Sequence, residues 1–71
     1  MTKKKRENLA KRRDMKTAAA EIGSIRSSLD EAYAHFNSTT DKDTLEACIY
    51  EISALRSKYN TALKHYRDRY S

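Results

Sequence analysis

The side chains in this sequence best equipped for chemistry are cations. Lys3, Lys4, Lys5, Arg6, Lys11, Arg12, Arg13 and Lys16 fall within sixteen residues, beside only Glu7 and Asp14. A second basic group, Lys64, Arg67 and Arg69, is interleaved with Tyr66 and Tyr70. Lys and Arg hold phosphate oxygens and tyrosine rings stack on bases, so this combination suits contact with a single-stranded nucleic acid. Cations near a helix C-terminus also complement its dipole. That accounts for Arg67 and Arg69 without any ligand, but less well for the density of KKKRENLAKRR.

Other chemistry has little to work with. A metal site needs His, Cys and carboxylates converging with ligand spacing. His35, His65 and Cys48 are the only soft donors besides two methionines, and the histidines are 30 residues apart. Asp41, Asp43 and Glu46 lie close in sequence, where helix capping explains them. No Gly-rich loop can cradle a phosphate, because the chain has one glycine. The expectation is therefore no enzyme, no metal, no cofactor and no small-molecule substrate.

The elements that must position these residues are two helices. Met15, Ala18, Ile22, Ile25, Leu29, Ala32 and Phe36 alternate spacings of three and four. Leu45, Cys48, Ile52, Leu55, Tyr59, Ala62 and Tyr66 do the same. Both are heptad patterns, and neither has the period of two of a strand. Between them NSTTD is a run of turn formers. The predicted organisation is a disordered basic tail over 1–6 and a helical hairpin over 7–71. Its helices cover about 7–36 and 42–70, joined by a turn at 37–41. A connection this short makes the helices antiparallel. With the turn centred near residue 39, Lys11 should face about Arg67, and Asn8 about Tyr70. Gly23, on the outer face, is the one weak point; the helix is expected to run through it, with a kink at IGS as the alternative.

Folding in half segregates the charge. Residues 1–16 carry net +6, residues 27–55 net −5 and residues 56–71 net +4. The open end is thus cationic and the turn end anionic.

A single seam leaves apolar groups over. Ile49 and Leu63 share one flank of the second helix, Tyr33 the matching flank of the first, and Tyr50 lies further round. A 71-residue chain buries little core, and three of the fourteen seam residues are alanine. The expected remedy is a homodimer, two hairpins forming a four-helix bundle with Tyr33, Ile49, Tyr50 and Leu63 at the subunit interface. Opposed hairpins, cationic end beside anionic end, are favoured over parallel ones.

Cys48 on the stripe reads as a buried, reduced thiol. No run of apolar residues is long enough for a membrane span, and no apolar segment follows the basic start as in a secretory signal. Leu9 is the only large apolar residue of the basic segment after Met1, which argues against an amphipathic membrane anchor. A cytoplasmic protein is expected.

Phe36, the Thr40–Asp41 turn, Ile49-Tyr50-Glu51-Ile52, Lys58-Tyr59 and the basic Lys64, Arg67 and Arg69 form a recognisable series. On these residues the second half resembles the YaaL-like proteins, small uncharacterised proteins of Firmicute bacteria classed as a domain of unknown function. The basic N-terminal segment is also similar. Members often carry proline after the turn aspartate, where this chain has Lys42, a departure that weakens the cap but not the fold. The resemblance implies a bacterial, cytoplasmic helical hairpin and carries no activity.

Two function classes follow. One is a self-associating helical interaction module that binds a protein partner. The other is a nucleic-acid binder using Lys3, Lys4, Lys5, Arg6, Lys11, Arg12, Arg13, Lys64, Arg67, Arg69 and Tyr70. A leucine-zipper basic region fits poorly, because the seam breaks at NSTTD and Asn8 is followed by Leu9-Ala10-Lys11.

Overall fold

The computed structural model describes residues 2–70. It is an all-α hairpin of two helices, α1 (Lys3–Ser38) and α2 (Lys42–Tyr70). The hairpin is a rod of 60 × 17 × 13 Å. Its radius of gyration is 17.2 Å, against about 11 Å for a compact domain of this length. So most of the molecule lies near its surface.

α1 starts earlier than the sequence suggests. Residues 3–6, expected as a disordered tail, are its first turn; Met1 lies outside the described residues. The Thr2 hydroxyl accepts from the Lys5 N–H at 3.3 Å, and Arg6 N–H donates to the Thr2 carbonyl at 3.1 Å. The Arg6 bond is the first of the helix ladder, and the cap hydroxyl satisfies one of the orphan N–H groups of a helix start. It does so against the dipole, since the first turn carries no acid and begins Lys3-Lys4-Lys5. α1 then runs unbroken through Gly23, whose φ is negative and over whose Cα there is open space.

The turn is only Thr39 to Asp41. Thr39 is extended, and its N–H closes α1 on the His35 carbonyl at 3.1 Å; the Ser38 hydroxyl donates to the same oxygen. Asp41 opens α2. One of its carboxylate oxygens accepts from Thr44 N–H at 2.9 Å and from the Thr44 hydroxyl at 2.7 Å. The Asp41 N–H is held in turn by the Thr39 hydroxyl.

The Thr44 hydroxyl, and next the Thr44 N–H, hold the Asp41 carboxyl below its ordinary value of 3.8, with slight desolvation opposing them. A folded-state pKa below the unfolded one stabilises the fold above the unfolded value, and that contribution disappears as pH falls through the folded value. Between about pH 4 and pH 2 the wild-type melting temperature should therefore fall more steeply than that of Asp41→Asn, which keeps an acceptor but does not titrate. Parallel curves in circular-dichroism melts would show that the cap contributes nothing.

Every seam residue named from the sequence is shielded relative to its neighbours. Among the described residues only Ala32 and Cys48 are fully buried, at 5% and 2% exposure. Both are small and both lie in the half of the rod nearer the turn. Elsewhere Ile22, Ile25, Leu29, Phe36, Leu45, Ile52, Leu55 and Tyr59 remain half-buried, as a single layer of side chains between two helices must.

Two contacts across the seam fix the register. Cys48 Sγ lies 3.6 Å from His35 Nδ1, and Arg69 pairs with Asp14 at 3.7 Å. From the first contact to the second is 21 residues on each helix, so the register is constant along the rod. It differs from the expected one. Asp14 should have faced about Lys64, and Lys11 about Arg67; instead Lys11 lies beyond the end of α2. The cause is the turn. Because α1 continues through Ser38, the pivot moves past Thr39, and each residue of pivot displacement shifts the facing partner by two.

Candidate interaction surface

The register leaves nearly three turns of α1 projecting beyond α2. Lys3, Lys4, Lys5 and Arg6 stand on this projection, all exposed. Leu9, 41% exposed, is at its base. Lys11, Arg12 and Arg13 follow where α2 ends.

At that end a groove of about 630 Å³ is floored by Leu9, Met15, Ala19 and Tyr66 and rimmed by Arg12, Arg13 and Lys16. Tyr66 therefore stands among the cations of α1, as the sequence suggests. Tyr70 goes to the other side of the seam, beside Asp14, Thr17, Ala18 and Glu21. Its ring lies 5.1 Å from that of Tyr66 and 5.5 Å from the Arg69 guanidinium. Arg69 is thus occupied twice, by the Asp14 carboxylate and by a ring face, an arrangement of the cation–π kind. Both partners of the ion pair are well exposed, so it contributes little to stability. Arg67 shares the last turn with Arg69, and Lys64 is exposed one turn earlier.

Of the four residues proposed for a subunit contact, Tyr33 and Ile49 come together. They line one groove with Phe36, Ile52 and Arg56, and are 39% and 54% exposed. Leu63 is half-buried on the same flank, two heptads further along α2. Tyr50 is 72% exposed and does not line this groove.

No family model, curated protein or solved structure matches this chain.

The sequence reading overlooked the approach of Cys48 to His35, because it depends on the register: in the expected one His35 faces Asp43. His35 is on the last turn of α1 and His65 is at the far end of the rod, so the two histidines do not converge. Among the described residues no three His, Cys, Asp or Glu side chains are placed to hold a metal. Nor is any described helix long and apolar enough to cross a membrane.

Proposed function

We propose that this protein is a non-enzymatic helical interaction module that self-associates into a four-helix bundle and binds a protein partner. The observation that supports it most directly is the flank carrying Tyr33, Ile49 and Leu63, beside a seam in which only two small side chains are fully buried. A hairpin with so little core gains most by covering that flank. Burying an aromatic or branched aliphatic side chain is worth about 1.5–3 kcal/mol. The resemblance to the YaaL-like proteins agrees with a small helical hairpin in the bacterial cytoplasm and adds no activity.

Light scattering after size-exclusion chromatography tests self-association. The wild type should elute at twice its chain mass at tens of micromolar. Ile49→Asp, which sets a charge on the flank and leaves every seam residue in place, should elute at chain mass and melt lower. A wild-type monomer with full helicity would contradict the proposal.

A second reading is favoured by the α1 projection. A cationic helix extending alone past the hairpin can lie along a phosphate backbone, with Lys64, Arg67 and Arg69 near its base. Tyr66 is the ring better placed to meet a base there, since it lines the groove rimmed by Arg12, Arg13 and Lys16.

A further inference from the structure

We propose that the flank bearing Tyr33 and Leu63, with Ile49 at its margin beside the end of α2 of the second copy, is covered by a second copy of this chain, laid head to tail, with the two-fold axis crossing at Gly23 and Asn60. This rests on the self-association reading above and specifies its surface and register.

The first argument is area. The chain exposes 5998 Å², against about 4,500 Å² for a compact protein of 8.2 kDa. The excess of about 1,500 Å² exceeds the roughly 800 Å² that each partner buries in a standard interface. A second copy can therefore bury a full-sized interface and still leave the protomer as exposed as a normal protein.

The second argument is charge, and it selects the register. The register set by Asp14–Arg69 and His35–Cys48 places Gly23 opposite Asn60 within the protomer. A two-fold axis through that level, perpendicular to the rod, lays α1 against α1 of the second copy and α2 against α2. Asp30 and Lys16 lie equally far either side of Gly23, so each meets the other across the axis, twice per dimer. Tyr33 meets the groove floored by Leu9, Met15, Ala19 and Tyr66, whose rim cations Arg12 and Arg13 face its ring. Arg26 faces Ala19 and Ala20 rather than another arginine; Arg56 comes level with Lys64, beside Leu63, a like-charge approach this register retains. The projecting Lys3–Arg6 lies level with the turn of the second copy, where Asp41 and Asp43 stand. The cations with no neighbour in the protomer thus gain acidic ones.

Other arrangements lose these pairings. An axis at Arg26 brings together the arginines of both copies, at positions 26 and 56. A parallel dimer sets one cationic end on the other. Like-charge juxtaposition across an interface is strongly unfavourable.

The third argument is Gly23 itself. It lies within an unbroken helix, has negative φ, and would meet nothing if it carried a side chain. Nothing in the protomer requires glycine there, and glycine weakens a helix interior. At a two-fold axis between antiparallel helices, a residue without a side chain lets the backbones approach.

The test is cross-linking combined with mass measurement. Gly23→Cys should give a covalent dimer with a short bis-maleimide. Asn37→Cys should not, because its two copies would be about 40 Å apart at 1.5 Å per residue. The wild-type chain is the control for Cys48, which is 2% exposed. In parallel, Asp30→Lys and Lys16→Asp should each raise the dimer dissociation constant roughly tenfold, and the double variant should restore it. A dimer that links at position 37, or fails to link at 23, overturns this register while leaving self-association standing. A monomeric wild type removes both.

Discussion

Leu55→Ala will remove about half of the hairpin's stability at 25 °C. Leu55 is a seam residue at mid-rod, half-buried against α1. A buried Leu→Ala typically costs 2–5 kcal/mol through lost transfer energy and the cavity left behind. Half-burial puts Leu55 at the low end, about 2 kcal/mol. For most domains that is tolerable. Here the whole stability is about 4–10 kcal/mol by the usual per-residue range. A rod with only two fully buried side chains among the described residues belongs at the bottom of it. Tyr50→Ala is the matched control: it removes a larger side chain from the same helix, but one 72% exposed and off the seam. Surface changes of that kind usually stay within about 0.5 kcal/mol. Urea titrations followed at 222 nm compare the two. Equal losses for both would mean that the seam does not hold the hairpin together, or that Tyr50 is covered by a partner.

The contrast between Leu55 and Tyr50 also marks what could be read from sequence. Periodicity names every residue of the seam, because apolar side chains at heptad spacing have one way to be sheltered from water on a helix. The antiparallel hairpin follows from the short turn. The register does not, because it depends on where α1 stops. NSTTD is composed of residues that cap and turn, and any of them can end a helix; Ser38 continues α1, while Thr39 and Asp41 take the capping roles. A displacement of about two and a half residues there moves every facing pair by about five. That is why the His35–Cys48 approach and the Asp14–Arg69 pair could not be foreseen. The start of α1 was hidden for a different reason. Lys3-Lys4-Lys5 reads as a solvated tail because it opposes the helix dipole, and the Thr2 cap that offsets this is a single hydroxyl.

The same register divides the candidate surfaces. Tyr33 and Ile49 share a groove because both lie on the flank next to the seam near the turn. Tyr66 and Tyr70, four residues apart, have rings in contact and line one groove together, while Tyr66 alone also reaches the groove of Arg12, Arg13 and Lys16, and Tyr70 alone the cleft beside Asp14. Heptad letters alone assign Tyr70 to the flank of Leu63. In the structure the ring lies instead against Arg69, beside Asp14 and Glu21.

The cationic projection of α1 gives the largest expected effect in solution. If it holds single-stranded nucleic acid through about six phosphates, affinity should fall roughly 10²–10³-fold between 50 and 200 mM salt, from a slope of about −0.7 per contact. Replacing Lys3, Lys4, Lys5 and Arg6 together by glutamine removes up to four of those contacts. The slope should then flatten by about 3, while the hairpin is untouched because these residues lie beyond the end of α2. Fluorescence anisotropy with a labelled oligonucleotide at three salt concentrations reads both quantities. Binding that ignores salt, or no binding at all, removes the nucleic-acid reading. The two readings also compete for the same charges, because the head-to-tail dimer sets these four cations over the acidic turn of the second copy. A polyanion that binds them should therefore loosen the dimer. The glutamine variant should lose both the oligonucleotide affinity and part of the self-association, whereas Ile49→Asp should lose only the second.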